Sequence, residues 1–338
     1  MTEKQNYMML LRGEQPEWVP HFQFGADPSG RPTAVRNVFP SIMMEHLQSP
    51  GPAKDIWGVT NVPVPDSPGS KIPEPGNFIL KDIRQWRDVI KKPDFSHIDW
   101  EMMAKKDMEA ANINREETLV CFGLFIGFFQ MLAAFMGFTE ALCAMYEEPE
   151  EVIALTEFLC DFYVETGEKC IDYYKPDIYD ITDDNATWQN PFFSPEMYRE
   201  LYKPSVIRQA KLGLDRGLPI QMHDCGRCED FIDDWMDFGV VSWNPAQVSN
   251  DLLAVKKKYG NKLVINGGWD LVGVLSNKDV SEAAVKASVR AAIDAYAPGG
   301  GYAFCGGFLG DTNDPDVIRK NGWIAEEVRA YGREFYKK

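Results

Sequence analysis

From Thr118 onward short strand-like runs alternate with helical stretches, and this alternation restricts the fold more than any other feature of the chain. The runs read TLVCFGL, DIYDIT, LPIQMHDC, GVVSW, KLVING and GYAFCG, each separated from the next by helix-length sequence. Strands alternating with helices predict parallel strands joined by crossover helices, because a tight turn cannot connect a parallel pair. A further run at residues 18–24 brings the strands to seven, with about seven following helices, in a chain of 338 residues. That is close to an eightfold β/α barrel, so the predicted class is α/β with a distorted (β/α)8 TIM-barrel architecture.

Several helices mark their own starts. Ser194-Pro195-Glu196 sets a capping hydroxyl, a first-turn proline and an acid in the favoured order, Asp314-Pro315-Asp316 repeats it, and Ser281-Glu282 precedes AAVKASVRAAIDAYA. Near the N-terminus a helix is predicted over 4–12, and then the pattern dissolves. Between residues 25 and 99 prolines and glycines interrupt nearly every run (ADPSGRP, SPGPAK, PVPDSPGSKIPEPG), which predicts long loops with a helix near 83–90. Loops of that length within a compact domain commonly serve as lids or substrate walls. The expectation is one barrel domain over 1–338, with N-terminal helices and long loops in 1–110 and regular β/α units in 111–338.

Composition excludes several classes. A net charge of −16, from 35 basic and 51 acidic residues, repels nucleic acid and anionic membrane. Residues 119–139 lack any charge for twenty-one positions, a length that can span a bilayer. Gly123, Gly127 and Gln130 interrupt that run and it divides into a strand and a helix, so it is expected to be buried core and no membrane is expected. The opening MTEKQNYMMLLRGEQPEWVP carries charges throughout and no apolar signal-type run. Seven cysteines (Cys121, Cys143, Cys160, Cys170, Cys225, Cys228, Cys305), odd in number and dispersed, argue against a disulfide framework and for a reducing cytoplasm.

The chemistry concentrates at LPIQMHDCGRC. Side chains alternate faces along a strand, so His223 and Cys225 leave the backbone on one side as a two-pronged ligand. Cys305 appears eighty positions later, at the end of GGGYAFCGG. Imidazole and two thiolates form a set that zinc favours, and three protein ligands leave a fourth position for chemistry. Taken singly, a buried cysteine or histidine is more often a core residue than a ligand. Cys225-Gly226-Arg227-Cys228 also satisfies C-x-x-C, which leaves a redox pair or a different zinc pairing open. Cys121, Cys143, Cys160 and Cys170 read as packing residues.

Other strand ends supply candidates for a pocket. Asp183 and Asp184 follow DIYDIT; one carboxylate can orient a substrate or a metal ligand while the other caps the next turn. Asp183 is taken as the catalytic member and Asp184 as the substrate-binding one. Trp188, Trp243 and Trp269 can wall a flat substrate, and Asn244 and Gln247 in WNPAQ offer neutral hydrogen bonds.

The pieces ITDDNATWQNPFFSPEMYRELYKP, MHDCG, GVVSWNPAQ, DLLAVKKKYGNKLVINGG and GGGYAFCGG resemble the uroporphyrinogen decarboxylase superfamily over about residues 118–336. The resemblance implies a distorted β/α barrel and one of two chemistries. The methyltransferase branch carries a His-x-Cys pair with a distant Cys, matched here by His223, Cys225 and Cys305 as zinc ligands. Its members exchange a methyl group with the cobalt of a corrinoid protein. The corrinoid would therefore sit on a partner, since no Asp-x-His-x-x-Gly stretch occurs in this chain. The decarboxylase branch carries an arginine-rich RQAGRY segment, where this chain reads HFQFGADPSGRPTAVRN with only Arg31 and Arg36. The implied function is zinc-dependent transfer of a methyl group from a small methylated substrate, a methoxyaromatic ether in an O-demethylation, to a corrinoid protein. Three alternatives remain: methyl-corrinoid to a thiol of the coenzyme M type, a porphyrinogen-type decarboxylase, and a non-catalytic protein with structural zinc.

Overall fold

The computed structural model describes every residue except 24–26, 28, 66–69, 126, 271–278, 312 and 338. Eleven strands occur among the described residues: β1 (His21–Phe22), β2 (Val35–Val38), β3 (Ala53–Lys54), β4 (Thr60–Pro63), β5 (Lys71–Pro73), β6 (Leu119–Gly123), β7 (Ile178–Asp183), β8 (Ile220–Asp224), β9 (Val240–Ala246), β10 (Val264–Gly268) and β11 (Tyr302–Cys305). Eight form one parallel sheet in the order β1-β11-β10-β9-β8-β7-β6-β2, nearly closed into a barrel. Register slips where β9 meets β8 and β10 distort it.

The central strands are apolar on both faces because both are covered. Val120, Phe122, Tyr179, Ile181, Ile220, Met222 and Phe304 belong to the large outer core with the helices. Leu119, Cys121, Ile178, Val264, Ala303 and Cys305 form a second cluster inside, with Phe22 and Val35. The helix Glu3–Leu11, started by a capping box between Thr2 and Gln5, adds Tyr7 and Leu10 to that inner cluster at the end where the strands begin. Above it lies a belt of buried polar side chains. Tyr7 donates to Asn266 Oδ1 at 2.7 Å, Asn266 Nδ2 to Ser242 Oγ at 2.8 Å, and Gln221 Nε2 to Asp180 Oδ1 at 2.8 Å. Burial pushes the Asp180 carboxyl up to about 6.

The helix starts read from sequence are present: the side chains of Ser194, Ser281 and Asp314 accept from Met197, Ala284 and Asp316 N–H. The uncharged run also divides as expected, into β6 and the helix Phe128–Met136. Among the described residues no single helix is long and apolar enough to cross a membrane; Phe128–Met136 and Phe138–Glu147 meet that test only as a pair bent by 111°.

The N-terminal third differs from its loop-dominated reading. It contains β2, the eighth barrel strand, the antiparallel sheet β3-β4-β5, and the helices Ser41–Gln48 and Trp100–Ala111. In β2 the polar pair Arg36-Asn37 interrupts the apolar run, and its partner β6 lies far along the chain, so local pattern conceals it. The helix expected at 83–90 is a 3-10 turn, Ile83–Gln85, followed by the short helix Trp86–Val89. The strand expected at 18–24 pairs only at His21–Phe22, and Phe24 lies outside the described residues.

His21 offers a test of this seam. Its ring packs edge-on to Phe304, its Nε2 is buried without a hydrogen-bond partner, and burial pushes its pKa down to about 3. The unfolded chain thus binds a proton that the folded chain refuses between about pH 6.5 and 3. Stability is full above 6.5 and falls as pH drops through that window, by at most about 1.4 kcal/mol per pH unit. Urea unfolding at stepped pH should show a shallower decline for His21→Phe; an identical slope in both proteins would refute the assignment.

Candidate functional site

In β8 the alternation sends Gln221 and His223 into the barrel and Ile220 and Met222 into the helix layer. His223 lies opposite Asn244 of β9 on one side and Thr182 of β7 on the other. Its Nδ1 is 2.8 Å from Asn244 Oδ1, while Nε2, on the other edge of the ring, is 3.8 Å from Cys225 Sγ. Asp184, just past β7, completes the group. One ligand atom each from Asp184, His223 and Cys225 lie within 4.8 Å of one another, all three residues half-buried. Asp184 is itself held: Cys225 N–H donates to its Oδ1 at 3.1 Å and Gln130 Nε2 to its Oδ2 at 2.5 Å.

Cys305 ends β11, three strands along the sheet from β8, and is buried against β1 and β10. It stands outside the group of three but acts electrostatically on the Cys225 thiol. Burial pushes the Cys305 thiol up to about 12, and burial followed by the Asp184 carboxylate raises that of Cys225. Thiols so shifted are protonated at neutral pH, and a divalent cation is the kind of partner that converts them to thiolates. The donor set therefore fits a borderline-soft cation of the zinc type.

Of the two aspartates named from the sequence, only Asp184 stands with His223 and Cys225. Asp183 points outward, is fully enclosed, and accepts from the N–H groups of Phe128, Phe129 and Gln130 at 3.0, 3.3 and 3.4 Å. It caps the helix Phe128–Met136, and burial pushes its carboxyl up to about 7. Adjacent residues at a strand end face opposite ways, so Asp184, not Asp183, reaches His223 and Cys225.

Two of the three tryptophans leave the pocket. Trp243 is fully buried against Trp235 and donates to Asp224 O at 3.1 Å; Trp269 packs on Phe304 and Phe308 and donates to Ser288 Oγ at 2.9 Å. Both sit in the helix layer, where their large apolar area is covered. Trp188 is exposed on the loop after β7. Gln247 accepts from Gly226 N–H at 2.6 Å and so braces the Cys225 turn. Cys228 is buried, its thiol donating to Cys225 O at 2.8 Å and Asp224 Oδ1 at 3.2 Å, which turns it toward the protein core.

Sequence reasoning missed several supporting residues. Asp224, between His223 and Cys225 in sequence, is fully buried and clamps Asn185 through its backbone N–H (2.9 Å) and Nδ2 (2.6 Å), fixing the segment that carries Asp184. A charged residue ending an apolar strand was the available signal. Phe125, past β6, adopts a left-handed φ of 53° and meets Phe39, past β2, edge-on at 5.2 Å. A bulky side chain in that region is strained, and such residues gather at functional sites.

A family model described as uroporphyrinogen decarboxylase (URO-D) matches residues 66–308. No curated protein matches the chain. Among solved structures, a methyltransferase from Methanosarcina mazei is similar over 98% of this chain and 99% of its own, with 12% identity and a TM-score of 0.63. A B12-independent methionine synthase from Shewanella sp. W3-18-1, in complex with selenomethionine, aligns over 90% of this chain and 84% of its own, with 12% identity and a TM-score of 0.49. At that identity the first of these likenesses bears on fold.

Proposed function

The chain belongs to the uroporphyrinogen decarboxylase family, and from that membership we propose that it is a zinc-dependent methyltransferase moving a methyl group between a small methylated substrate and the cobalt of a corrinoid protein. The observation that carries this reading is the convergence of Asp184, His223 and Cys225 at the barrel mouth, with Cys305 ending a strand of the same barrel. Catalytic side chains of β/α barrels stand at the C-terminal strand ends. Zinc bound there would supply Lewis-acid polarisation of a methylated heteroatom or hold a thiol as thiolate. The chain's own work is positional. Gln130 and the Cys225 N–H orient the Asp184 carboxylate, and Asp183 anchors the helix that bears Gln130.

A methoxyaromatic donor, giving O-demethylation, suits the aromatic side chains past the strand ends, Trp188, Phe125 and Phe39. Porphyrinogen decarboxylation needs cations at the mouth, and neither arginine of the segment that stands where the decarboxylase branch carries its motif is placed for it. Arg36 lies opposite Val120, on the helix-facing side of β2, and Arg31 is exposed ahead of that strand. The seven unpaired thiols suit a reducing cytoplasm.

Elemental analysis of protein purified without a metal-affinity tag tests the reading. About one zinc per chain is expected in the wild type and little in Cys225→Ser, since loss of a ligand weakens binding directly. Methylated donors would then be screened with Co(I) corrinoid. A folded wild type that takes up no zinc would sink the proposal.

A further inference from the structure

We infer that Asn244 is a positioning residue that holds His223 in the tautomer with Nδ1 protonated, so that Nε2 is the nitrogen presented to a metal. The inference rests on the zinc reading above and deepens it. Asn244 and His223 are register partners on adjacent strands, both pointing into the barrel, with Asn244 Oδ1 2.8 Å from His223 Nδ1. A carbonyl oxygen can only accept, so the ring nitrogen facing it must carry the proton. The opposite ring nitrogen then keeps its lone pair, and it is this Nε2 that lies 3.8 Å from Cys225 Sγ within the group containing Asp184.

Among the described residues the Asn244 amide has no hydrogen-bond partner other than the imidazole. Asn244 is fully buried, and its Nδ2 has no hydrogen-bond partner. Its neighbour Asn266 differs in this respect: it accepts from Tyr7 and donates to Ser242 Oγ at 2.8 Å and Trp243 O at 3.0 Å, so both ends of its amide are used. A buried amide that satisfies one end and strands the other is costly to the fold, and a leucine of similar size would avoid the cost. What leucine would not supply is the acceptor for His223 Nδ1–H. Without that acceptor the neutral ring is free to carry its proton on Nε2, where an N–H would face Cys225 and Asp184 and block a metal. An outer acceptor of this kind both fixes ring orientation and raises the basicity of the ligating nitrogen.

The test compares wild type with Asn244→Leu, which removes the acceptor, and Asn244→Asp, which restores one. The first readout is the 15N spectrum of the four histidines in metal-free protein at a pH where His223 is neutral, assigned with His223→Ala. The second is zinc affinity by chelator competition. The wild type should show the Nδ1–H tautomer, Asn244→Leu should shift toward Nε2–H and lose about 10- to 100-fold in zinc affinity, and Asn244→Asp should recover most of both. A wild-type His223 protonated on Nε2 overturns the inference, as does an Asn244→Leu protein with unchanged tautomer and affinity. Should Asn244→Leu not fold, the wild-type and Asn244→Asp spectra still decide. A wild type that binds no zinc yet shows the expected tautomers defeats the zinc reading and leaves the role of Asn244 standing.

Discussion

His223→Ala and Cys305→Ala are each expected to lose zinc and methyl transfer together while the fold survives, with transfer falling by about 10³-fold or more. His223 supplies the nitrogen of the group of three, and its loss leaves thiol and carboxylate without the neutral donor between them. Cys305 is the more discriminating case, because it stands outside that group although it ends a strand of the same barrel. Removing its small buried thiol should lower stability by only about 1–2 kcal/mol, so an activity loss can be read as loss of a ligand. Zinc content, circular dichroism and turnover measured on the same preparations make the comparison. A Cys305→Ala protein with full zinc and full turnover would confine the site to Asp184, His223 and Cys225.

Gly127→Ala is expected to destabilise the protein by about 2–5 kcal/mol, combining loss of a helix cap with overpacking. A methyl group at Gly127 would lie 2.0 Å from Asp183 Oδ1 and 2.8 Å from its Cα, so the strand end itself must shift. Asp183 would then release the N–H groups of Phe128, Phe129 and Gln130. Because Gln130 also holds Asp184, zinc affinity should fall along with the urea midpoint. Asp183→Ala removes the cap without the collision. The double variant should therefore be less destabilised than the sum of the two singles, the signature of residues in contact. A Gly127→Ala protein with wild-type stability and zinc affinity would show that the cap does not support the site.

Much of the barrel was legible because its strands are covered on both faces and so read as compact apolar runs. β6, β7, β8, β10 and β11 all fall within runs visible by composition. β2 was not, since Arg36 and Asn37 occupy its middle and the strand is recognisable mainly by its pairing with β6. The same limit applies to the tryptophans. Proximity to a strand end does not say which face a side chain takes, and the outward phase of Trp243 buries it under Trp235.

What the sequence determined by itself was the strand and helix phase from β6 onward and the two-residue spacing that sets His223 and Cys225 on one side. Both follow from local geometry, in which side-chain direction is a function of position along a single strand. The tertiary structure alone decided that Asp184 rather than Asp183 meets them, that Asn244 stands behind the imidazole, and that Cys305, ending a strand three places away, stands outside the group of three. Those relations depend on sheet order and interstrand register, which arise from contacts between residues far apart in the chain and leave no periodic trace within it.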